Sequence, residues 1–229
     1  RTSKLGDIVH SAPLHHNGAL YVGANDGMLH VFDDETGDEI FAYVPRLVFK
    51  NLNKLAVANP NYAHTYFVDN APYVKNIGGQ RLLVCGLGKG GKGYICLDIS
   101  NIETMTNPET DAANIFKWEY PDSSDPDDSP DPDMGYSFSK AFIVNSKVGW
   151  VVIFGNGYES TNKRAVLYIL DASTGSVLKK IDTGVGDSTE CNGLSTPALT
   201  DVDQDGKVDY AYAGDLLGNL WKFDLTGAT

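Results

Sequence analysis

Leu29-His30-Val31-Phe32-Asp33 returns three times along the chain, as Tyr94-Ile95-Cys96-Leu97-Asp98, Leu167-Tyr168-Ile169-Leu170-Asp171 and Leu220-Trp221-Lys222-Phe223-Asp224. Each copy is a mostly apolar run of strand length that ends in aspartate. A second apolar run precedes each copy and closes on a glycine: Gly23, Gly86, Gly155 and Gly214. Around the first copy, four strand-like runs cover residues 11–16, 19–24, 28–33 and 39–44, divided by Asn17-Gly18, Asn25-Asp26-Gly27 and Glu35-Thr36-Gly37. Asn-Gly and Asp-Gly between alternating apolar runs signal hairpins, because their turns need φ > 0. Four antiparallel strands in a meander make one propeller blade.

The pattern repeats downstream. The second unit runs through 81–86, 93–99 and 114–120, and the third through 140–145, 149–154, 165–172 and 176–183. The fourth begins at Ser195-Thr196-Pro197 and continues through 209–214 and 219–225. The expected fold is therefore all-β: a quinoprotein-like β-propeller of four-stranded antiparallel blades. About four units, near 7–60, 61–134, 135–190 and 191–229, share a single domain over 1–229. The repeating glycines are 63, 69 and 59 residues apart, longer than a WD-type blade of roughly 40–45. Residues 46–58, with Leu47, Val48, Leu52 and Leu55 at helical spacing, supply a short helix in the first unit. Residues 120–133, with six aspartates and four prolines, read as a solvated, mobile acidic loop. The fourth unit stops after three strands. Either residues 2–9 supply the missing strand as a clasp, or the chain is part of a larger propeller, and the second reading is taken.

With 229 residues, 42% of them hydrophobic, the chain can bury a sizeable core. A net charge of −12 argues against nucleic acid and anionic lipid. No apolar run is long enough to span a membrane, so direct membrane insertion is not expected. No signal peptide is recognised, and the opening Arg1-Thr2-Ser3, without methionine, reads as a processed or cut end. Cys85, Cys96 and Cys191 give no disulfide framework. Three buried thiols are expected, with a Cys85–Cys96 cross-strand bridge as the alternative.

The chemistry concentrates in Asp201-Val202-Asp203-Gln204-Asp205-Gly206-Lys207-Val208-Asp209. Carboxylates fall at positions 1, 3, 5 and 9, with glycine at position 6. Ca²⁺ takes roughly 6–8 oxygen ligands, and EF-hand loops supply them from alternate residues around a glycine turn. Asp201, Asp203, Asp205 and Asp209 would offer side-chain oxygens, and Lys207 its backbone carbonyl while its ammonium points away. Position 12 is Tyr212 rather than a bidentate glutamate, and the following residues alternate like a strand. The loop is thus EF-hand-like in a β context, in the slot between strands one and two of its unit. Mg²⁺ suits it less, since it prefers a tight octahedron with several waters.

Other candidates weigh less. Gly86-Leu87-Gly88-Lys89-Gly90-Gly91-Lys92-Gly93 nearly matches a phosphate loop, but Gly93 replaces the metal-binding hydroxyl and a strand follows in place of a helix. It is expected to be a long flexible hairpin turn. His10, His15, His16, His30 and His64 show no metal-ligand spacing, and no nucleophile elbow occurs. No catalytic residue is nominated, and the chain is not expected to be an enzyme. The turns Asp33-Asp34-Glu35-Thr36-Gly37 and Asp171-Ala172-Ser173-Thr174-Gly175 resemble blade turns of pyrroloquinoline-quinone dehydrogenases. Phe41 and Lys179 stand where that family's docking tryptophan would, and its vicinal cysteines are absent. A quinoprotein-like enzyme is accordingly the least favoured alternative. A calcium-stabilised structural or carbohydrate-binding propeller is the other.

Four segments together resemble the C-terminal propeller of the PilY/PilC family of type IV pilus biogenesis and tip-adhesin proteins. They are Gly6-Asp7-Ile8-Val9-His10-Ser11-Ala12-Pro13, the run 21–33, the turn 86–93 and the run 201–225 with Gly218-Asn219-Leu220-Trp221. The resemblance implies a secreted, pilus-associated protein exported through the periplasm to the cell surface. It implies a calcium loop that biases pilus extension against retraction, and with it twitching motility and attachment. Its partners would be pilus components such as minor pilins, and host or abiotic surfaces. By motif match the calcium ligands are again Asp201, Asp203, Asp205, Lys207 and Asp209. An Arg-Gly-Asp motif, found in some relatives, is absent here.

Overall fold

The four recurrences fold into separate antiparallel sheets in a computed structural model that describes residues 5–58, 60–105, 107–122 and 131–227. The first sheet comprises β1 (Leu14–His16), β2 (Ala19–Gly23), β3 (Leu29–Asp33) and β4 (Glu39–Tyr43). The second comprises β5 (Tyr73–Ile77), β6 (Gln80–Gly86), β7 (Tyr94–Asp98) and β8 (Phe116–Tyr120). The third comprises β9 (Phe142–Ser146), β10 (Gly149–Gly155), β11 (Val166–Asp171) and β12 (Val177–Asp182). The fourth has β13 (Ala198–Thr200), β14 (Tyr210–Gly214) and β15 (Leu220–Asp224). Each sheet is a meander in chain order. The third and fourth strands slip register at one equivalent place in three sheets, beside Val31, Cys96 and Ile169.

Sheets pack face to face through three apolar cores. Strand side chains alternate between faces, so neighbours in sequence enter different cores. Leu83 and Cys85 join the core shared with the first sheet, while Leu82 and Val84 join the core shared with the third. Val152 and Phe154 likewise face backward, and Val151 and Ile153 face Ala211, Ala213 and Phe223 of the fourth sheet. Burial on both faces explains why these strands read as near-continuous apolar runs. The outer strand β12 is exposed except at Ile181, which packs against the third core, and it carries Lys179 and Lys180, which discourage edge-to-edge pairing.

The sheets are also stitched by backbone. Val68 N–H donates to the Ala24 carbonyl, Ser137 N–H to Gly91 and Gly157 N–H to Leu194. These approaches require glycine. A Cβ on Gly23 would lie 2.3 Å from the Val68 carbonyl oxygen, and one on Gly155 2.3 Å from that of Ser195. The turn expected to be a flexible hairpin is instead packed: Gly90 is so close to Phe67 that a Cβ would overlap its carbonyl oxygen at 1.8 Å.

The helix expected after β4 is a 3-10 helix over Arg46–Ala56 that buries Val48. Buried Glu119 caps it, accepting from the Tyr43 hydroxyl at 2.5 Å, Arg46 N at 3.0 Å and Leu47 N at 3.3 Å. A second helix, α1 (Pro108–Ile115), was not anticipated. Asn107 caps it by accepting from Glu109 N at 3.1 Å, and acids occupy its first turn, as helix N-termini favour. The N-terminal segment does not act as a clasp on the fourth sheet in its described part. Gly6 N donates to Asp26 at 2.8 Å and Asn25 N to the Asp7 carbonyl at 3.0 Å, which seats it on the first sheet. Most of the acidic tract, 123–130, lies outside the described residues. Buried Asp131 at its end accepts from the Tyr120 hydroxyl, from Tyr168 at 2.8 Å and from Lys180 at 2.6 Å.

A docking indole exists, but in neither expected position. Trp118 on β8 is 4% exposed and donates from Nε1 to the Ala172 carbonyl at 3.0 Å. Its ring covers Gly175, where a Cβ would lie 2.6 Å from it. Cys85 and Cys96 are free and buried in different cores, so no bridge joins them, and burial pushes the Cys85 thiol up to about 12. Cys191 is exposed, contrary to the expectation of three buried thiols.

His30 is fully buried, with Nδ1 2.6 Å from Glu39 and Nε2 3.0 Å from Asp26. Carboxylates at both nitrogens call for an imidazolium, which alone can donate twice. Burial by itself would lower the pKa of His30, but the bonds to Asp26 and Glu39 outweigh it and raise the value.

Trp118→Ala should cost about 3–5 kcal/mol of stability by urea denaturation, from lost burial and a cavity. Trp118→Phe should cost less, about 1 kcal/mol for the lost indole bond beyond any repacking. The folded pKa of His30 lies above its unfolded value of about 6.5. Its contribution is therefore full below that pH and lost as pH climbs through the raised value, by about 1.4 kcal/mol per unit of elevation. Urea melts should show the stability gap between wild type and His30→Gln narrowing from pH 6 to pH 9.

Candidate metal centre

The loop 201–209 joins β13 to β14, the place taken by Asn17-Gly18 in the first sheet and by Lys147-Val148 in the third. Its own carboxylates shape it. Asp201 accepts from Gly206 N at 2.8 Å, Asp203 from Asp205 N at 3.1 Å and Asp205 from Lys207 N at 2.9 Å. Asp209, 4% exposed, accepts from Val202 N at 2.8 Å and Asp203 N at 3.4 Å. Short acidic side chains bonding backbone amides two residues on are the usual way to fix such turns. Gln204 at φ 61° and Gly206 at φ 82° take the left-handed conformations that fold the loop back. Buried Val208 anchors it, and its N–H donates to the Asn145 carbonyl of β9 at 2.9 Å.

This geometry brings carboxylate oxygens of Asp201, Asp203 and Asp209 within 4.8 Å of one another. Among the described residues, no lysine or arginine ion-pairs with any of the three. The donor set therefore suits a hard cation that prefers oxygen. Beside it the Thr200 hydroxyl is buried and finds no hydrogen-bond partner among the described residues. Asp205 stands apart from this cluster. Its Oδ2 is 2.9 Å from Lys147 Nζ and 3.5 Å from Lys207 Nζ. The bond from Lys147 lowers the Asp205 pKa, and the same bond raises that of Lys147. The Lys207 ammonium thus turns back onto the loop instead of pointing away.

Most of the remaining candidates have other partners among the described residues. Four histidines pair with carboxylates: His10 with Asp69, His15 with Asp34, His30 as above and His64 with Asp7. Ser11 does not engage His10; its Oγ accepts from Gly23 N at 2.8 Å. In the turn 86–93, Lys92 Nζ donates to the Glu159 carbonyl at 2.6 Å, and Lys89 lies over the Tyr66 ring at 4.8 Å. A cavity of about 550 Å³ opens beside α1 between Asp98, Ile102, Met105 and Asn114, remote in sequence from the loop. The pairs of His10, His15 and His64 were missed because each links segments 19 or more residues apart, whereas the His30 pairs with Asp26 and Glu39 are local.

A family model described as the PilY1 beta-propeller domain matches residues 7–229. The type IV pilus biogenesis factor PilY1 of Pseudomonas aeruginosa strain UCBPP-PA14 is 38% identical over 264 residues, covering 100% of this chain and 21% of that protein. A PilY1 homolog, also called a type IV pilus biogenesis factor, from Xylella fastidiosa strain Temecula1 is 44% identical over 221 residues, covering 91% of this chain and 14% of its own length. The chain thus spans about a fifth or less of these curated relatives. The crystal structure of the Pseudomonas aeruginosa PilY1 C-terminal domain superposes with a TM-score of 0.70 at 41% identity, covering 90% of this chain and 38% of that one. A quinohemoprotein alcohol dehydrogenase from Pseudomonas putida shares the fold alone, with a TM-score of 0.54 at 15% identity, over 93% of this chain and 29% of that one.

Three carboxylates this close repel one another when no cation is present, by about 1 kcal/mol per pair even in water. Asp203→Asn keeps an acceptor for Asp205 N while removing one charge. In chelator it should stabilise the protein by about 0.5–1 kcal/mol in thermal or urea melts. A destabilised variant would mean that the repulsion is already relieved.

Proposed function

The chain belongs to the PilY1 β-propeller family, and on that footing we propose that loop 201–209 binds Ca²⁺ and that its occupancy conditions this propeller's part in type IV pilus biogenesis. The observation that carries the reading is the convergence of Asp201, Asp203 and Asp209 on a loop tied to the neighbouring sheet. Asp205 and the Lys207 carbonyl complete the proposed ligand set. Bound Ca²⁺ supplies the positive charge that lets these carboxylates stay close. The loop's residues do the rest. Asp201 and Asp209 hold both ends of the loop through Gly206 N and Val202 N, while Val208 keeps it against β9.

In the whole protein, this ordered face would engage pilus components, minor pilins among them, at the cell surface. The ordered state would favour pilus extension over retraction, and so set twitching motility and attachment. A ligand that binds only the ordered form stabilises it by about 2.7 kcal/mol at 100 times its Kd. That is enough to switch a loop while leaving the sheets folded.

Calorimetric titration with Ca²⁺ should show one saturable site in the wild type and none in Asp201→Ala, with similar melts for both in chelator. In the full-length protein, Asp201→Ala should alter twitching in the same direction as calcium withdrawal. A wild type that binds no Ca²⁺ would overturn the reading.

A further inference from the structure

Lys147 has no role in the metal site as described, yet it touches it. It sits in the β9–β10 turn of the third sheet, and its ammonium reaches Asp205 Oδ2 of the fourth at 2.9 Å. The other Asp205 oxygen accepts from Lys207 N at 2.9 Å. Both oxygens of Asp205 are thus engaged, and of the loop's four carboxylates it is the one outside the 4.8 Å cluster. The ion pair is not needed to seat the loop, because Val208 and its bond to the Asn145 carbonyl already do so.

We propose that Lys147 is a built-in competitor for the metal: its ammonium and the divalent ion exchange on Asp205, so that metal binding releases Lys147 from the loop. The inference rests on the metal reading above. A lysine ammonium is a hydrated point charge on a flexible stem, and half-exposed pairs of this kind contribute little. Three carboxylates already converged beside Asp205 favour a doubly charged ion far more than they favour one lysine. Affinity is then set partly by the third sheet. Ion occupancy in turn frees a positive charge on the β9–β10 turn of the third sheet. The ion's presence becomes readable on the neighbouring blade.

The test is a set of Ca²⁺ titrations by calorimetry on wild type, Lys147→Met and Lys147→Arg, and on Asp205→Asn with and without Lys147→Met. Lys147→Met should tighten the Kd by about 3- to 10-fold, and Lys147→Arg should stay close to wild type. In the Asp205→Asn background, Lys147→Met should change little, because the coupled partner is gone. Amine acylation at Lys147, read by mass spectrometry, should speed up several-fold when Ca²⁺ is added to the wild type. Unchanged or weaker binding in Lys147→Met, equal tightening in both backgrounds, or calcium-independent acylation would overturn the exchange while leaving the metal site standing. Failure of the wild type to bind Ca²⁺ would remove the site and the exchange together.

Discussion

The glycine ending the second strand of each of the first three sheets lies where the backbone of the next unit crosses, closer than any side chain permits, whereas Gly214 meets no such crossing among the described residues. Val68 approaches Gly23, Ser137 approaches Gly86, and Ser195 approaches Gly155. The inner ends of the sheets are thereby locked in sequence, and neighbouring faces meet as three apolar cores. Variation is pushed to the outer strands and to connections that the crossings do not restrain. The 3-10 helix over Arg46–Ala56, α1 and the acidic tract all lie between third and fourth strands or between units. The candidate metal loop occupies a first hairpin turn, also away from the crossings, where Asp201, Asp203 and Asp205 lie at the surface and only Asp209 is buried.

Placement makes that loop more than a local feature. It belongs to the fourth sheet but leans on the third, through Val208 to Asn145 and through Asp205 to Lys147. A change of charge in the loop is therefore felt at a junction between blades. Beneath it the core formed by Val151, Ile153, Val208 and Ala211 remains buried and apolar, so the junction need not open for its surface charge to change.

Much of this was legible in the sequence for a definite reason. Third strands recur because the apolar cores impose the same demands each time, and Gly23, Gly86 and Gly155 recur because a neighbouring backbone crosses at each. The loop was legible because its carboxylates alternate around Gly206 within nine residues. What escaped notice was long-range. Trp118 could not be matched to a docking position because α1 and a 3-10 turn separate it from Asp98, although Asn107 followed by acids marks a helix start. The Lys147–Asp205 pair spans 58 positions and two sheets. Cys85 and Cys96 suggested a bridge until the pleat placed them on opposite faces. The glycine-rich turn read as flexible because sequence shows the freedom of glycine and hides what presses against it.

The alternation of β6 and β10 between two cores has an evolutionary side. Leu82 and Leu83 are covalent neighbours, yet one answers to residues in the following sheet and the other to residues in the preceding one. Substitutions that compensate one another should therefore pair across sheets, at positions tens of residues apart, and seldom along a strand. A blade of this kind is a repeat in shape without being an interchangeable part. Transplanting the second sheet into another member of the family would carry two half-interfaces with it, and each would have to meet a neighbour that had drifted independently.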